Sequence, residues 1–178
     1  MLILITGGSR SGKSGFALQQ ASTMPHPRVF LATAQAADDE MRGRIEAHKR
    51  SRPPEWGLVE EPLEVTRALT RTLERAGTVI VDCVTLWVSN LILADETLGE
   101  KEVADRAEEL AVIASESPAP VIVVTNEVGS GVVPDNALAR RFRDCAGRAN
   151  QVLARWAAEV HLMVSGIPMT IRKGKEQG

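Results

Sequence analysis

Short runs of consecutive apolar residues recur along the chain, and most of them show no alternation with polar residues. Strands buried on both faces of a sheet have this pattern, whereas strands with one solvated face alternate. The runs predict strands at residues 1–6, 28–33, 78–82 and 120–125, a last strand at 160–165, and a short edge strand at 56–60. A mostly parallel sheet with helices on both faces is therefore predicted.

Segments with helical spacing separate most of these strands, and they lie at residues 15–21, 38–50, 62–75, 86–94, 100–116 and 135–159. In the 100–116 segment one buried face is predicted, made of Val103, Ala107, Leu110, Ala111 and Ala114. In the 62–75 segment the predicted inward positions are Leu63, Thr66, Leu69, Thr70 and Leu73. Alternating strands and helices predict one doubly wound α/β domain over residues 1–178, with its ligand at the carboxyl ends of the strands.

A glycine-rich turn joins the first predicted strand to the first predicted helix. It fits the phosphate-loop pattern G-x-x-x-x-G-K-[ST] and consists of Gly7, Gly8, Ser9, Arg10, Ser11, Gly12, Lys13 and Ser14. Glycines let backbone N–H groups converge on phosphate oxygens, and the helix N-terminus adds a favourable dipole. Lys13 is expected to reach the β- and γ-phosphates, and Ser14 to bind Mg²⁺. The strand and helix on either side argue against a chance match by an ordinary turn.

Other polar residues follow the predicted strands. Asp82 ends an apolar run and is expected to hold Mg²⁺ opposite Ser14, directly or through water; the alternative is a solvated strand-end carboxylate. Ala32, Thr33 and Ala34 lie at the end of another strand. Asn126 begins a glycine-rich loop to residue 134, which is either a mobile loop beside the nucleotide or a simple turn.

His48 is followed by the cations Lys49, Arg50 and Arg52. Nearby positive charge favours the neutral imidazole, which is a nucleophile for phosphorus. A histidine on a helix face is more often structural, and the residues alone favour that interpretation.

Composition narrows the function classes. The chain has 178 residues and a formal net charge of −2, which argues against a nucleic-acid partner. Its two cysteines, Cys83 and Cys145, have no metal or redox spacing and indicate buried thiols in a reducing compartment. With no apolar stretch as long as a membrane span and no signal-peptide pattern, a cytoplasmic protein is expected.

Several stretches together resemble one known family. They read ITGGSRSGKS, LATAQAADDEMRGRIEAHKRSRP, VTNEVGSGVVPDNALARRFRDCAGRANQVLA and VSGIPMTI, and span most of the chain. They are similar to the bifunctional adenosylcobinamide kinase / adenosylcobinamide-phosphate guanylyltransferase family of cobalamin biosynthesis. The H-x-x-x-R-P element from His48 to Pro53 and the T-N-E-V-G motif, taken with the phosphate loop, are far more specific than that loop alone.

The resemblance implies a P-loop NTPase fold with a RecA-like core, assembled as a homotrimer. It implies that ATP or GTP, with Mg²⁺, phosphorylates adenosylcobinamide, with Lys13 as a catalytic residue. GMP is then transferred from GTP through a covalent GMP adduct of His48, which gives adenosylcobinamide-GDP.

The nucleotide-binding residues that the resemblance implies are those of the phosphate loop together with Ala32, Thr33, Ala34, Lys49, Arg50, Ser51, Arg52, Glu60 and Asp82. The chain departs from the family at Gly57, where a basic or hydroxyl residue often follows the tryptophan. Two other functions stay open: a P-loop kinase for another small alcohol, with His48 dispensable, and a nucleotide-binding regulatory module without transfer chemistry.

Overall fold

A mixed sheet with helices on both faces organises the chain. The computed structural model describes residues 1–35, 39, 43 and 55–174. The strands are β1 (Leu2–Gly7), β2 (Arg28–Ala32), β3 (Gly57–Glu60), β4 (Thr78–Asp82), β5 (Val121–Val124), β6 (Glu159–Val164) and β7 (Ile167–Arg172). The helices within the described ranges are α1 (Lys13–Ala21), α2 (Val65–Leu73), α3 (Val84–Ala94), α4 (Glu100–Glu116) and α5 (Ala137–Trp156).

The strand order across the sheet is β3-β2-β4-β5-β1-β6-β7. All neighbouring strands from β3 to β6 pair in parallel, so the predicted mostly parallel sheet is confirmed, with β3 at one edge as expected. Because parallel strands share a direction, the carboxyl ends of β3, β2, β4, β5 and β1 follow one another along one edge of the sheet. That edge, here called the carboxyl edge, is where a doubly wound fold binds its ligand.

Each central strand contributes to two cores. In β4, Val79 and Val81 pack on the face covered by α2 to α5, whereas Ile80 packs on the face covered by α1. Successive strand side chains point to opposite faces, and both faces are covered. This arrangement explains why the strands show continuous apolar runs instead of alternation.

The predicted burial of α4 is confirmed, and that of α2 is partly wrong. All five positions predicted on the inner face of α4 are buried. In α2 the buried residues are Val65 and Leu69, whereas Thr70 is exposed. Val65 and Leu69, four residues apart, set the inner face of the helix, and Thr70, one position beyond Leu69, lies off that face.

The strand predicted at 160–165 is confirmed as β6, but the prediction that it is the last strand is wrong, because β7 follows it in an antiparallel hairpin. The turn consists of Ser165 (φ 50°) and Gly166 (φ 87°). Two consecutive residues with positive φ make the turn type that suits a two-residue hairpin. Every residue of β7 is exposed, so no buried apolar run marked it.

Of the helix predicted over 38–50, only Asp39 and Gly43 are among the described residues, and both are helical. No helix in the described part of the chain combines the length and apolar character that a membrane crossing requires.

The packing predicts a contrast between two leucines. Leu110 in α4 is fully buried, whereas Leu93 in α3 is 66% exposed. We expect Leu110→Ala to lower the free energy of unfolding by about 2–5 kcal/mol, because it leaves a cavity in the core. Leu93→Ala, the matched control, is expected to change it by less than about 1 kcal/mol. Urea denaturation measures both, and equal losses would contradict this description of the core.

Candidate active site

The phosphate loop lies between β1 and α1, and its shape requires glycine. Gly7 has φ +148° and Gly12 has φ +95°, and both angles disfavour other residues. A Cβ atom on Gly7 would lie 2.5 Å from the carbonyl oxygen of Met163. The missed hairpin supports the loop from outside, since the Gly166 N–H donates to the Ser11 carbonyl at 3.0 Å.

Lys13 begins α1 and turns back over the loop. Its side chain is buried, and Nζ donates to the Gly8 carbonyl at 2.6 Å and to Ser11 Oγ at 3.4 Å. Burial lowers the pKa of Lys13, and the negative charge of Asp82 opposes that shift. A buried ammonium group inside a phosphate loop is a strong attractor for an anion, because little water screens it.

Ser14 and Asp82 meet across the gap between α1 and β4. Ser14 Oγ donates to Asp82 Oδ2 at 2.7 Å. A hydroxyl and a carboxylate are oxygen ligands of the kind that Mg²⁺ prefers, and Mg²⁺ commonly takes only one or two protein ligands beside substrate phosphates and water. No cluster of three His, Cys, Asp or Glu side chains suited to a metal occurs in the described ranges. The pair therefore fits Mg²⁺ bound together with a nucleotide.

Hydrogen bonds of Thr33 join the end of β2 to the end of β4. Its hydroxyl accepts the Cys83 N–H at 2.9 Å and donates to the Cys83 carbonyl at 2.8 Å, and its own N–H donates to the Asp82 carbonyl at 3.1 Å. Ala32, which pairs with Asp82, and Thr33 thus lie beside Asp82, as expected for residues at one edge, and Ala34 follows them in the chain. The backbone of Cys83 takes part in these hydrogen bonds. Its thiol is not a nucleophile, because burial raises the pKa of the thiol to about 12.

Asn90 is a residue that sequence reasoning missed. Its Nδ2 donates to the Thr33 carbonyl at 2.8 Å and to the Pro62 carbonyl at 3.1 Å, so α3 holds the loops after β2 and β3 together. The sequence feature that could have pointed to Asn90 is its position as the single amide in the apolar helix VTLWVSNLILA. Polar groups on such a helix need partners, and here the partners are loop carbonyls.

Glu60 ends β3 and pairs in register with Ala32. It therefore lies on the carboxyl edge, but at the far side from the phosphate loop. Four strand spacings separate β3 from β1, about 19 Å in all. A ligand that touches both Lys13 and Glu60 must extend along the edge.

The loop after β5 also reaches the phosphate loop. The Glu127 N–H donates to the Gly7 carbonyl at 3.1 Å, and Thr6 Oγ1 donates to Glu127 Oε1 at 2.6 Å. The remaining predicted site residues, His48, Lys49, Arg50, Ser51 and Arg52, lie outside the described residues. Gln35, the last described residue before Asp39, follows Ala34 at the carboxyl edge.

Comparison with known families decides the assignment. The family model described as cobinamide kinase / cobinamide phosphate guanyltransferase matches residues 3–171. The chain belongs to this family. The family predicted from the sequence motifs is confirmed, and so is the prediction of an enzyme.

Curated relatives cover nearly the whole chain. The bifunctional adenosylcobalamin biosynthesis protein CobU of Salmonella typhimurium is 41% identical over 182 residues, covering 97% of this chain and 100% of the relative. The bifunctional adenosylcobalamin biosynthesis protein CobP of Pseudomonas aeruginosa is 40% identical over 169 residues, covering 95% of this chain and 96% of the relative. Both names describe bifunctional proteins, as the resemblance implied.

A solved structure supports the fold class. A prototypical ATPase from the type III secretion system of pathogenic bacteria matches with a TM-score of 0.59 at 13% identity. The match covers 92% of this chain, which spans about half (51%) of the ATPase chain. The predicted P-loop α/β fold is thereby confirmed, and the likeness is one of fold alone.

The loop geometry predicts that an alanine is tolerated at Gly8 but destabilises the protein at Gly7. We expect Gly7→Ala to lower the free energy of unfolding by at least about 2 kcal/mol, because of its positive φ and the contact with Met163. Gly8→Ala is the matched control, since no atom lies within 4 Å of its added Cβ. Thermal unfolding of both variants measures the difference. If Gly7→Ala were as stable as Gly8→Ala, the described loop shape would be wrong.

Proposed function

We propose that this chain phosphorylates adenosylcobinamide with ATP or GTP and then transfers GMP from GTP to the product, giving adenosylcobinamide-GDP. The observation that carries the proposal is the Ser14–Asp82 contact beside Lys13 in a chain of this family. A phosphate loop, a buried lysine and a pair of oxygen ligands at one edge are the parts that phosphoryl transfer requires.

In the first step, the γ-phosphate passes to the hydroxyl of the aminopropanol arm of the corrinoid. The loop N–H groups and Lys13 Nζ hold the phosphate oxygens and stabilise the charge that develops during transfer. Ser14 and Asp82 would hold Mg²⁺, which supplies further charge neutralisation at the phosphates when bound.

In the second step, the imidazole of His48 attacks the α-phosphorus of GTP and expels pyrophosphate. A phosphate oxygen of the phosphorylated corrinoid then attacks the phosphorus of the GMP–histidine adduct, and the P–N bond breaks so that the His48 imidazole is released. Splitting the transfer replaces one encounter between two anions by two easier steps. Support for His48 comes from the H-x-x-x-R-P element and from the family match over residues 3–171.

The nucleotide is proposed to extend along the carboxyl edge. Its phosphates occupy the loop near Lys13, and the opposite end lies toward Glu60. Further contacts are proposed from the residues that the structure does not describe, Lys49, Arg50, Ser51 and Arg52, and from Ala32, Thr33 and Ala34.

A homotrimer stays a prediction, and the hairpin of β6 and β7 supports self-association. Ile167 is 66%, Met169 51% and Ile171 62% exposed. Together with Val164 they form one apolar surface, whereas exposed apolar side chains on soluble proteins are usually scattered singly. The cytoplasmic location and the single domain over residues 1–178 also stay predictions.

The covalent step predicts a mass change that depends on one histidine. Incubation of the full chain with Mg²⁺ and GTP is expected to add one GMP, in an acid-labile and base-stable linkage, because phosphoramidates hydrolyse in acid. His48→Ala is expected to abolish the adduct. His26→Ala, which changes an exposed histidine in a turn, is the matched control and should keep it. Intact-mass spectrometry measures all three proteins.

Each other outcome points to a different function. An adduct that persists in His48→Ala would remove His48 from the mechanism. No adduct in the wild type, with γ-phosphate still transferred to the corrinoid, would leave a plain kinase. Neither an adduct nor transfer would indicate a nucleotide-binding module.

A further inference from the structure

The start of the loop after β5 is held by a closed ring of hydrogen bonds that begins and ends on the backbone of Asn126. The Asn126 N–H donates to Thr85 Oγ1 at 2.7 Å, and Thr85 Oγ1 lies 3.1 Å from Thr125 Oγ1. Thr125 Oγ1 donates to Asn150 Oδ1 at 2.7 Å, and Asn150 Nδ2 donates to the Asn126 carbonyl at 3.0 Å. Side chains from α3 and α5 and from Thr125, the residue after β5, therefore fix the backbone of Asn126 on both sides.

The direction of every bond in this ring is determined. The hydroxyl proton of Thr125 is used on Asn150, so the proton between the two threonines comes from Thr85. Asn150 Nδ2 faces acceptors only, which settles the orientation of its amide. All three side chains are buried, so water does not compete for these bonds.

The ring fixes the position of the next residue, Glu127. Asn150 Nδ2 also approaches Glu127 Oε1 at 3.4 Å, and Thr6 donates to the same oxygen at 2.6 Å. No group in the described part of the chain donates to Oε2, and the residue is exposed. One carboxylate oxygen is thus anchored and the other faces solvent.

Glu127 follows the strand that lies between the two parts of the phosphate site, which are the phosphate loop and Asp82. Its strand, β5, lies between β4, which carries Asp82, and β1, which carries the phosphate loop. Asp82 is engaged by Ser14, and Glu60 lies at the far side of the edge. Glu127 therefore offers a free carboxylate oxygen beside the loop that holds the transferred phosphate, and, unlike Asp82, it is not assigned to Mg²⁺.

We propose, on the basis of the kinase step of the proposed function, that Glu127 is the catalytic residue that accepts the proton of the corrinoid hydroxyl. The O–H bond of the alcohol breaks as its oxygen bonds to the γ-phosphorus, and the proton passes to Glu127 Oε2. The bond from the γ-phosphorus to the β–γ bridging oxygen breaks, and its electron pair leaves with the nucleoside diphosphate. Glu127 then returns the proton to water.

Asn150 is a positioning residue in this proposal, because it acts through Glu127 and Asn126. The guanylyl transfer has no need of Glu127. Its nucleophiles are a neutral imidazole and a phosphate oxygen that is already ionised, and neither carries a hydroxyl proton to be removed. Loss of the kinase reaction alone would therefore indicate a catalytic role for Glu127, whereas loss of both reactions would indicate a structural role.

The test measures both reactions in the full chain with Glu127→Gln. We expect kcat for phosphorylation of cobinamide by ATP to fall about 100-fold or more, with KM for either substrate changed less than about threefold. Formation of the GMP adduct, and GMP transfer to supplied cobinamide phosphate, should stay within about threefold of the wild type. Formate should restore part of the kinase activity of Glu127→Ala. Glu74→Gln, at an exposed site after α2, is the control.

A kinase kcat within about threefold of the wild type in Glu127→Gln would overturn the proposal. Equal losses of both reactions would also overturn it, since they indicate a structural role. Asn150→Ala should lower kinase kcat less than Glu127→Gln does and leave the GMP adduct intact. A wild-type enzyme that forms the adduct but has no kinase activity would overturn this proposal alone, and one with neither reaction would overturn the proposed function.

Discussion

Backbone hydrogen bonds between β4, β5 and β1 bring together groups that lie far apart in the chain. The parallel register pairs Asp82 with Val124 and Ile5 with Val124, so the residues after β1, β4 and β5 emerge side by side. Ser14 then reaches Asp82, and Glu127 reaches Thr6. Shifting this register by one residue would turn every side chain of a strand to the other face and separate these groups.

The rest of the structure serves to keep that edge in place. Thr33 bonds the loop after β2 to the peptide of Cys83, and Asn90 bonds it to the loop after β3. The turn between β6 and β7 supports the phosphate loop at Ser11. Such preorganised donors and acceptors cost little reorganisation when charge moves during transfer, which is the largest catalytic contribution in many enzymes.

The pattern of apolar and polar residues and one contiguous motif were enough to predict the parallel sheet, the phosphate loop, and the bounds and buried face of α4. Apolar periodicity reports burial directly, and the loop motif is contiguous in the chain. β7 was missed because all its residues are exposed, and Thr70 was misplaced because Val65 and Leu69 set the inner face of α2. Asn150 and Asn90 were missed for another reason: their partners are distant in sequence, and no periodicity marks them. The role of His48 came from resemblance rather than from its neighbours.

A crystal structure of the full chain with Mg²⁺ and a non-hydrolysable GTP analogue tests most directly whether this edge is the reaction site. The metal should lie on Ser14 Oγ beside Asp82, and Lys13 Nζ should leave the Gly8 carbonyl for the phosphate oxygens. Glu127 should stay bonded to Thr6, with its free oxygen facing the γ-phosphate. Phosphates bound elsewhere, with the Ser14–Asp82 and Lys13–Gly8 hydrogen bonds intact, would contradict the assignment.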